Sequence, residues 1–114
     1  MPERRKLKRV HLIFYLRVFA GDDRTLLGQL VDITKEGLML ISEKPIEPDR
    51  DFDLTIDLPQ EINGSKVLQF RARSRWSKPD VNPSFYNTGF QLEDVDEEYV
   101  KIIRNLISRF RFKD

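Results

Sequence analysis

Apolar and polar residues alternate along most of this chain, and that two-residue period constrains its fold more than any other feature. In "DFDLTIDL" (51–58), Phe52, Leu54, Ile56 and Leu58 fall on one face and Asp53, Thr55 and Asp57 on the other. Successive side chains of a strand point to opposite faces, so this pattern predicts a half-buried β-strand. "VLQFRARSRW" (67–76) repeats it, with Leu68, Phe70, Ala72 and Trp76 inward and Gln69, Arg71, Arg73 and Arg75 outward. "FYNTGFQLE" (85–93) places Tyr86, Thr88, Phe90 and Leu92 on one side. Three earlier segments read as strands too: "LIFYLRVFA" (12–20), "LLGQLVDI" (26–33) and "LMLIS" (38–42).

Turn chemistry separates these runs. "GDDR" (21–24) and "TKEG" (34–37) are turns, and Gly37 suits a positive φ. Pro45 and Pro48 break the chain after residue 42. Asn63-Gly64 is a hairpin signal, and "SKPDVNPS" (77–84) is a further loop. Six short strands at regular spacing predict a small antiparallel barrel or sandwich with a single core.

The period then changes. In "DVDEEYVKIIRNLISRFRF" (94–112), Tyr99, Ile103, Leu106 and Phe110 recur at helical spacing and predict an amphipathic helix. Asp94 and Asp96 are candidate N-caps. Acids at the start and Arg104 and Arg109 toward the end suit the helix dipole. Such a helix would cover an open end or flank of the sheet. A chain of 114 residues fits one domain, 1–114, divided into a flexible basic arm (1–11), the strands (12–93) and the helix (94–112).

Charge is the second informative feature. Arg4, Arg5, Lys6, Lys8 and Arg9 stand against Glu3, so residues 1–11 carry +4; with +1 for the whole chain, the remainder carries −3. A protein that grips a long polyanion spreads basic charge over a face, whereas here it is concentrated at one end. This makes nucleic acid an improbable partner, although a small barrel binding single-stranded nucleic acid through its basic arm stays as an alternative. The arm does not read as a signal peptide, because His11 and Arg17 bound an apolar run shorter than the ~7–15 residues of an h-region. No stretch approaches the roughly 20 apolar residues of a membrane span. With no cysteine, the chain has no disulfide framework or thiolate chemistry, which fits a cytoplasmic setting. Its one histidine, His11, has no visible catalytic partner, and no nucleophile elbow, P-loop or metal-spaced cluster occurs. A binding protein without enzymatic activity, cofactor or metal is expected.

Two short motifs carry chemistry. "RKLKR" gives Arg5-x-x-x-Arg9, preceded by Arg4; "DITKEG" gives Asp32-x-Thr34-x-x-Gly37 at a strand end. Arginine offers a planar fork of donors that matches phosphate oxygens or the O6/N7 edge of guanine. An aspartate accepts hydrogen bonds from guanine N1–H and the exocyclic amine. A hydroxyl and a glycine turn can hold a phosphate or the base beside it. The plain reading of the same residues is a solvated basic tail and ordinary turn chemistry. Arg71, Arg73 and Arg75 read first as a polar face paired with acids on neighbouring strands, with Arg73 kept as a candidate ligand contact. Trp76 reads first as core; because it ends its predicted strand, it is also a candidate for stacking on a base.

These two motifs in this order, followed by "SRW", "TGFQLED" and an acidic-started terminal helix, make the chain resemble the PilZ domain family over nearly its whole length. The resemblance implies a six-stranded antiparallel β-barrel with a C-terminal α-helix. It implies binding of the bacterial second messenger cyclic di-GMP, with Arg5 and Arg9 gripping guanine and phosphate, Asp32 reading guanine and Gly37 forming the turn. Arg4 would add a charge where the family sets whether one ligand or a stacked pair binds. Thr34 stands where the family pattern has serine; it keeps the hydroxyl and adds a methyl that restricts χ1. The expected mechanism is ordering of the arm, residues 3–10, onto the barrel by a dianionic ligand, creating a surface for a protein effector. The departure at Thr34 keeps a second reading open, a nucleotide-free adaptor acting through protein partners.

Overall fold

The computed structural model describes the backbone at Val10–His11 and residues 16–110, with side chains from Leu16 to Arg109. The arginines of the basic arm, residues 12–15 of the first predicted strand and the Phe110 side chain lie outside the described residues. Seven strands are β1 (Val10–His11), β2 (Arg17–Ala20), β3 (Thr25–Ile33), β4 (Gly37–Ser42), β5 (Asp51–Ile62), β6 (Ser65–Pro79) and β7 (Tyr86–Glu93), followed by helix α1 (Glu97–Phe110). All pairings are antiparallel, in the order β3-β2-β5-β6-β7-β4, and a β3–β4 pairing closes the ring into a six-stranded barrel. Closure leaves no long free edge. The short β1 pairs with the far end of β3, Val10 opposite Ile33 and His11 opposite Asp32, beside β2.

Alternation sets the core as expected. Val18, Leu30, Leu40, Leu54, Ile56, Leu68, Ala72, Phe90 and Leu92 are buried inside the barrel. The Asn63-Gly64 signal is a two-residue turn, Ile62 opposite Ser65, with φ of 51° and 83° at its centre. Positive φ at both positions is what a type I′ hairpin requires. The outward arginines meet acids across the sheet: Arg71 Nε lies 3.2 Å from Asp53, and Arg73 3.2 Å from Asp51. Partial desolvation and the neighbouring Asp51 push the Glu93 carboxyl on this face above its ordinary range.

Of the two candidate caps, Asp96 is the one used, so helix α1 begins at Glu97. Asp94 adopts φ 52°, outside helical space, and Asp96 is the cap, its Oδ1 accepting from Tyr99 N at 2.8 Å. Tyr99, Ile102, Ile103 and Leu106 are buried against the barrel. Asn105 donates to Asn63 Oδ1 at 2.7 Å, tying the helix to the β5–β6 turn. The Tyr99 ring meets Phe70 edge-on at 5.2 Å. Its hydroxyl is buried with no hydrogen-bond partner among the described residues, and burial pushes the phenol well above its usual range. Among the described residues, no helix is long and apolar enough to cross a membrane, and no cluster of acids and histidine is suited to hold a metal ion.

Candidate ligand-binding cleft

Two β-bulges decide what the outside of the barrel presents. Strict alternation would carry Asp32 inward with Leu30. The β3–β4 register instead slips between Leu30 and Asp32, so Ile33 takes the inward place opposite Leu38 and Asp32 turns outward opposite Met39. A one-residue slip moves every following side chain to the other face. The same happens on β6, where the register slips between Ser74 and Trp76. Ser74 is buried inside, its Oγ donating to Glu47 O at 2.7 Å and accepting from Arg50 N at 3.0 Å. Past the slip, Ser77 is the inward residue, 3.0 Å from the buried Thr88 hydroxyl. Trp76 therefore faces out. The expectation that it continues the core register is corrected, and the cause is the extra residue, Arg75. Nor does Trp76 end its strand, since β6 runs on to Pro79.

Together the two slips build one row across four strands: Asp32 opposite Met39, Met39 opposite Gly89, and Gly89 opposite Trp76. The indole lies flat on Gly89, where a Cβ would fall 2.3 Å from Cε2 and 2.4 Å from Nε1. No real Cβ tolerates such approaches, so the ring rests there because the position is glycine.

The "DITKEG" turn forms the neighbouring wall. Thr34 Oγ1 accepts from the backbone N–H of Glu36 and of Gly37, both at 3.1 Å, and faces Gly37 O at 3.4 Å. Thr34 N donates to Gly37 O at 2.8 Å, and Leu92 N donates to Glu36 O at 2.9 Å, fastening the turn to β7. Both acceptor positions of the hydroxyl are thus used within the turn. Gly37 is not among the positive-φ residues, which corrects that expectation. It must be glycine for another reason: a Cβ would lie 2.6 Å from Phe90 O on the paired strand.

Row and turn line one open cleft of about 800 Å³, with Asp32, Thr34, Lys35, Glu36, Gly37, Arg75, Trp76, Gln91 and Asp94 on its walls. Asp32 is 2% exposed. Of the predicted site residues, the structure brings Asp32, Thr34, Gly37 and Trp76 together. Arg73 does not line the cleft; it pairs with Asp51 on the adjoining face. Arg75 lines it instead, because the bulge re-aims it. Arg4, Arg5 and Arg9 lie outside the described residues, though β1, which follows Arg9 directly in the chain, runs antiparallel to Asp32 and Ile33. Formal charge on the walls is two cations, Lys35 and Arg75, against three carboxylates, Asp32, Glu36 and Asp94. The described cleft is therefore one charge negative.

The model of the family described as PilZ domain matches residues 3–109 of this chain. No curated protein matches it in sequence. Among solved structures, that of the Bacillus subtilis inhibitor of motility (MotI/DgrA) is similar in fold, with a TM-score of 0.71 at 13% identity. The match covers 93% of this chain and 51% of that one, so the chain spans about half the length of that structure.

Proposed function

The chain belongs to the PilZ domain family, a family of cyclic di-GMP receptors, and on that premise we propose that it binds cyclic di-GMP in the cleft beside Asp32. The observation that carries this reading is the single row holding Asp32 and Trp76, walled by the Thr34–Gly37 turn. An acceptor-only carboxylate can take the N1–H and exocyclic amine of a guanine. An indole flat on the sheet offers a stacking surface, worth about 1–3 kcal/mol per base. The carboxylates on the cleft walls support a role for the arm: Lys35 and Arg75 are the cations those walls offer a dianionic ligand, and the arm's arginines would add to them. Arg5 and Arg9 are the matching residues of the family's arginine pair, and Arg4 adds a third cation. Binding would draw Arg4, Arg5 and Arg9 onto the cleft and so present a new surface to a protein effector.

The engagement of the Thr34 hydroxyl also favours the receptor over a nucleotide-free adaptor. The hydroxyl's task here is to hold the turn, which threonine performs as serine would.

Titration calorimetry with cyclic di-GMP, with GTP as control, tests the reading. Saturable binding is expected, abolished by both Arg9→Ala and Asp32→Ala while each variant stays folded. Absence of heat at high micromolar ligand, from folded protein, would overturn the proposal and turn the search to protein partners.

A further inference from the structure

The stacking surface of the cleft already has a cation beside it. Trp76 and Lys78 lie two residues apart on β6, beyond the bulge, and therefore on the same outward face. The inner face of the indole rests on Gly89, where its atoms leave no room for a Cβ. The Lys78 ammonium sits over the ring, 5.3 Å from its centroid. With the inner face against backbone, that ammonium lies on the outer side of the ring, the side a base would use.

Among the described residues, Lys78 makes no ion pair. Asn87, opposite it on β7, donates to Asp80 Oδ1 at 2.8 Å, and Asp80 Oδ2 accepts from Asn82 N at 3.1 Å. The carboxylate of Asp80, two residues along the chain from Lys78, is thereby committed to the β6–β7 loop, and those hydrogen bonds hold it below its ordinary range. An ammonium on a tryptophan face is an attraction between cation and ring quadrupole. A purine and a cation need the same side of the same ring, so they cannot both have it.

We propose that Lys78 is a built-in occupant of the Trp76 stacking surface, seated where the ligand's base must stack and exchanged for it on binding. This rests on the cleft being the cyclic di-GMP site. It makes Lys78 a determinant of affinity that belongs to neither short motif. Displacement costs the cation–ring contact, while the freed ammonium stays beside a dianion and attracts it. The two effects oppose each other, and salt separates them. At about 1 M salt the screening length is about 3 Å, which suppresses the attraction but leaves a direct competitor in place.

Two readouts on the full chain decide the matter. In NMR of the free protein, the terminal methylene protons of Lys78 should be shifted upfield of those of other lysines by the indole ring current. Saturation with cyclic di-GMP should abolish that shift. In parallel, Lys78→Ala should bind cyclic di-GMP about two- to fivefold more tightly than wild type at 1 M salt, the factor that an exposed cation–ring contact represents. Lys78→Arg, which keeps a cation able to stack on the ring, should show no such gain. If ligand binds but the Lys78 protons keep their shift, or Lys78→Ala gains nothing at high salt, the inference on Lys78 fails while the site reading stands. If no ligand binds at all, the site reading fails and takes this inference with it.

Discussion

Replacing Gly89 by alanine separates the cleft's recognition from the barrel's stability. A Cβ on residue 89 would lie 2.3, 2.4 and 2.6 Å from Cε2, Nε1 and Cζ2 of Trp76. Carbon atoms in ordinary contact sit about 3.5–4.0 Å apart, so the ring must lift by more than 1 Å or swing aside. It can do so, because the indole is half-exposed on the outside of the sheet and β6 backbone need not follow. Glycine within a strand costs roughly 0.5–1 kcal/mol relative to alanine, which offsets the lost ring contact. The net change in unfolding free energy should stay within about 1 kcal/mol. Ligand affinity should not be spared. Loss of one stacked base at 1–3 kcal/mol corresponds to about a 5- to 150-fold weaker Kd. The chain has one tryptophan, so its fluorescence reports this ring alone. Gly89→Ala should change that emission, leave the thermal midpoint within a few degrees of wild type, and weaken cyclic di-GMP binding in calorimetry. A variant with altered emission and unaltered affinity would refute the claim that the base stacks on Trp76.

Other substitutions test the surrounding framework. Thr34→Ser should leave stability and binding within about twofold of wild type, whereas Thr34→Val strips two backbone N–H groups of their acceptor and should cost about 1–2 kcal/mol in denaturant unfolding, with weaker ligand binding. Ser74→Ala removes a buried hydroxyl that serves Arg50 N and Glu47 O, and should cost about 1–3 kcal/mol. Tyr99→Phe deletes a buried hydroxyl with no partner among the described residues and should be neutral or stabilising by about 1 kcal/mol. It should also change the alkaline limb of stability. The folded state holds the phenol neutral, so wild type loses stability as pH rises past the unfolded tyrosine value near 10; Tyr99→Phe should lose less over that range in pH-dependent unfolding.

Much of this architecture was legible because burial follows the two-residue period. Leu54, Ile56, Leu68 and Ala72 could be placed inside from alternation alone, and Asn63-Gly64 could be read as a hairpin because positive φ has few suitable residues. The candidate site was legible through its motif: Asp32, Thr34 and Gly37 do meet at one cleft. What the period hid was the effect of the bulges. Trp76 reads as core in unbroken alternation, and only the extra residue at Arg75 turns it outward beside Asp32. Bulges arise from the mismatch of neighbouring strands, which no single strand's sequence displays. For the same reason Arg75, rather than Arg73, lines the cleft. The left-handed backbone expected at Gly37 is absent, and what the position needs is space beneath Phe90 O. β5 runs on through Pro59 to Ile62, so the strand itself reaches the Asn63-Gly64 turn, to which Asn105 of α1 is hydrogen-bonded.

The central claim is that cyclic di-GMP occupies the cleft at Asp32 and draws the N-terminal arginines onto it. Hydrogen exchange of the full chain, with and without saturating cyclic di-GMP, tests both parts at once. The account predicts added protection at residues 3–10, in the Thr34–Gly37 turn and around Trp76, with little change in β5. Protection confined to another face of the barrel, or an arm whose exchange is unaltered by bound ligand, would contradict it.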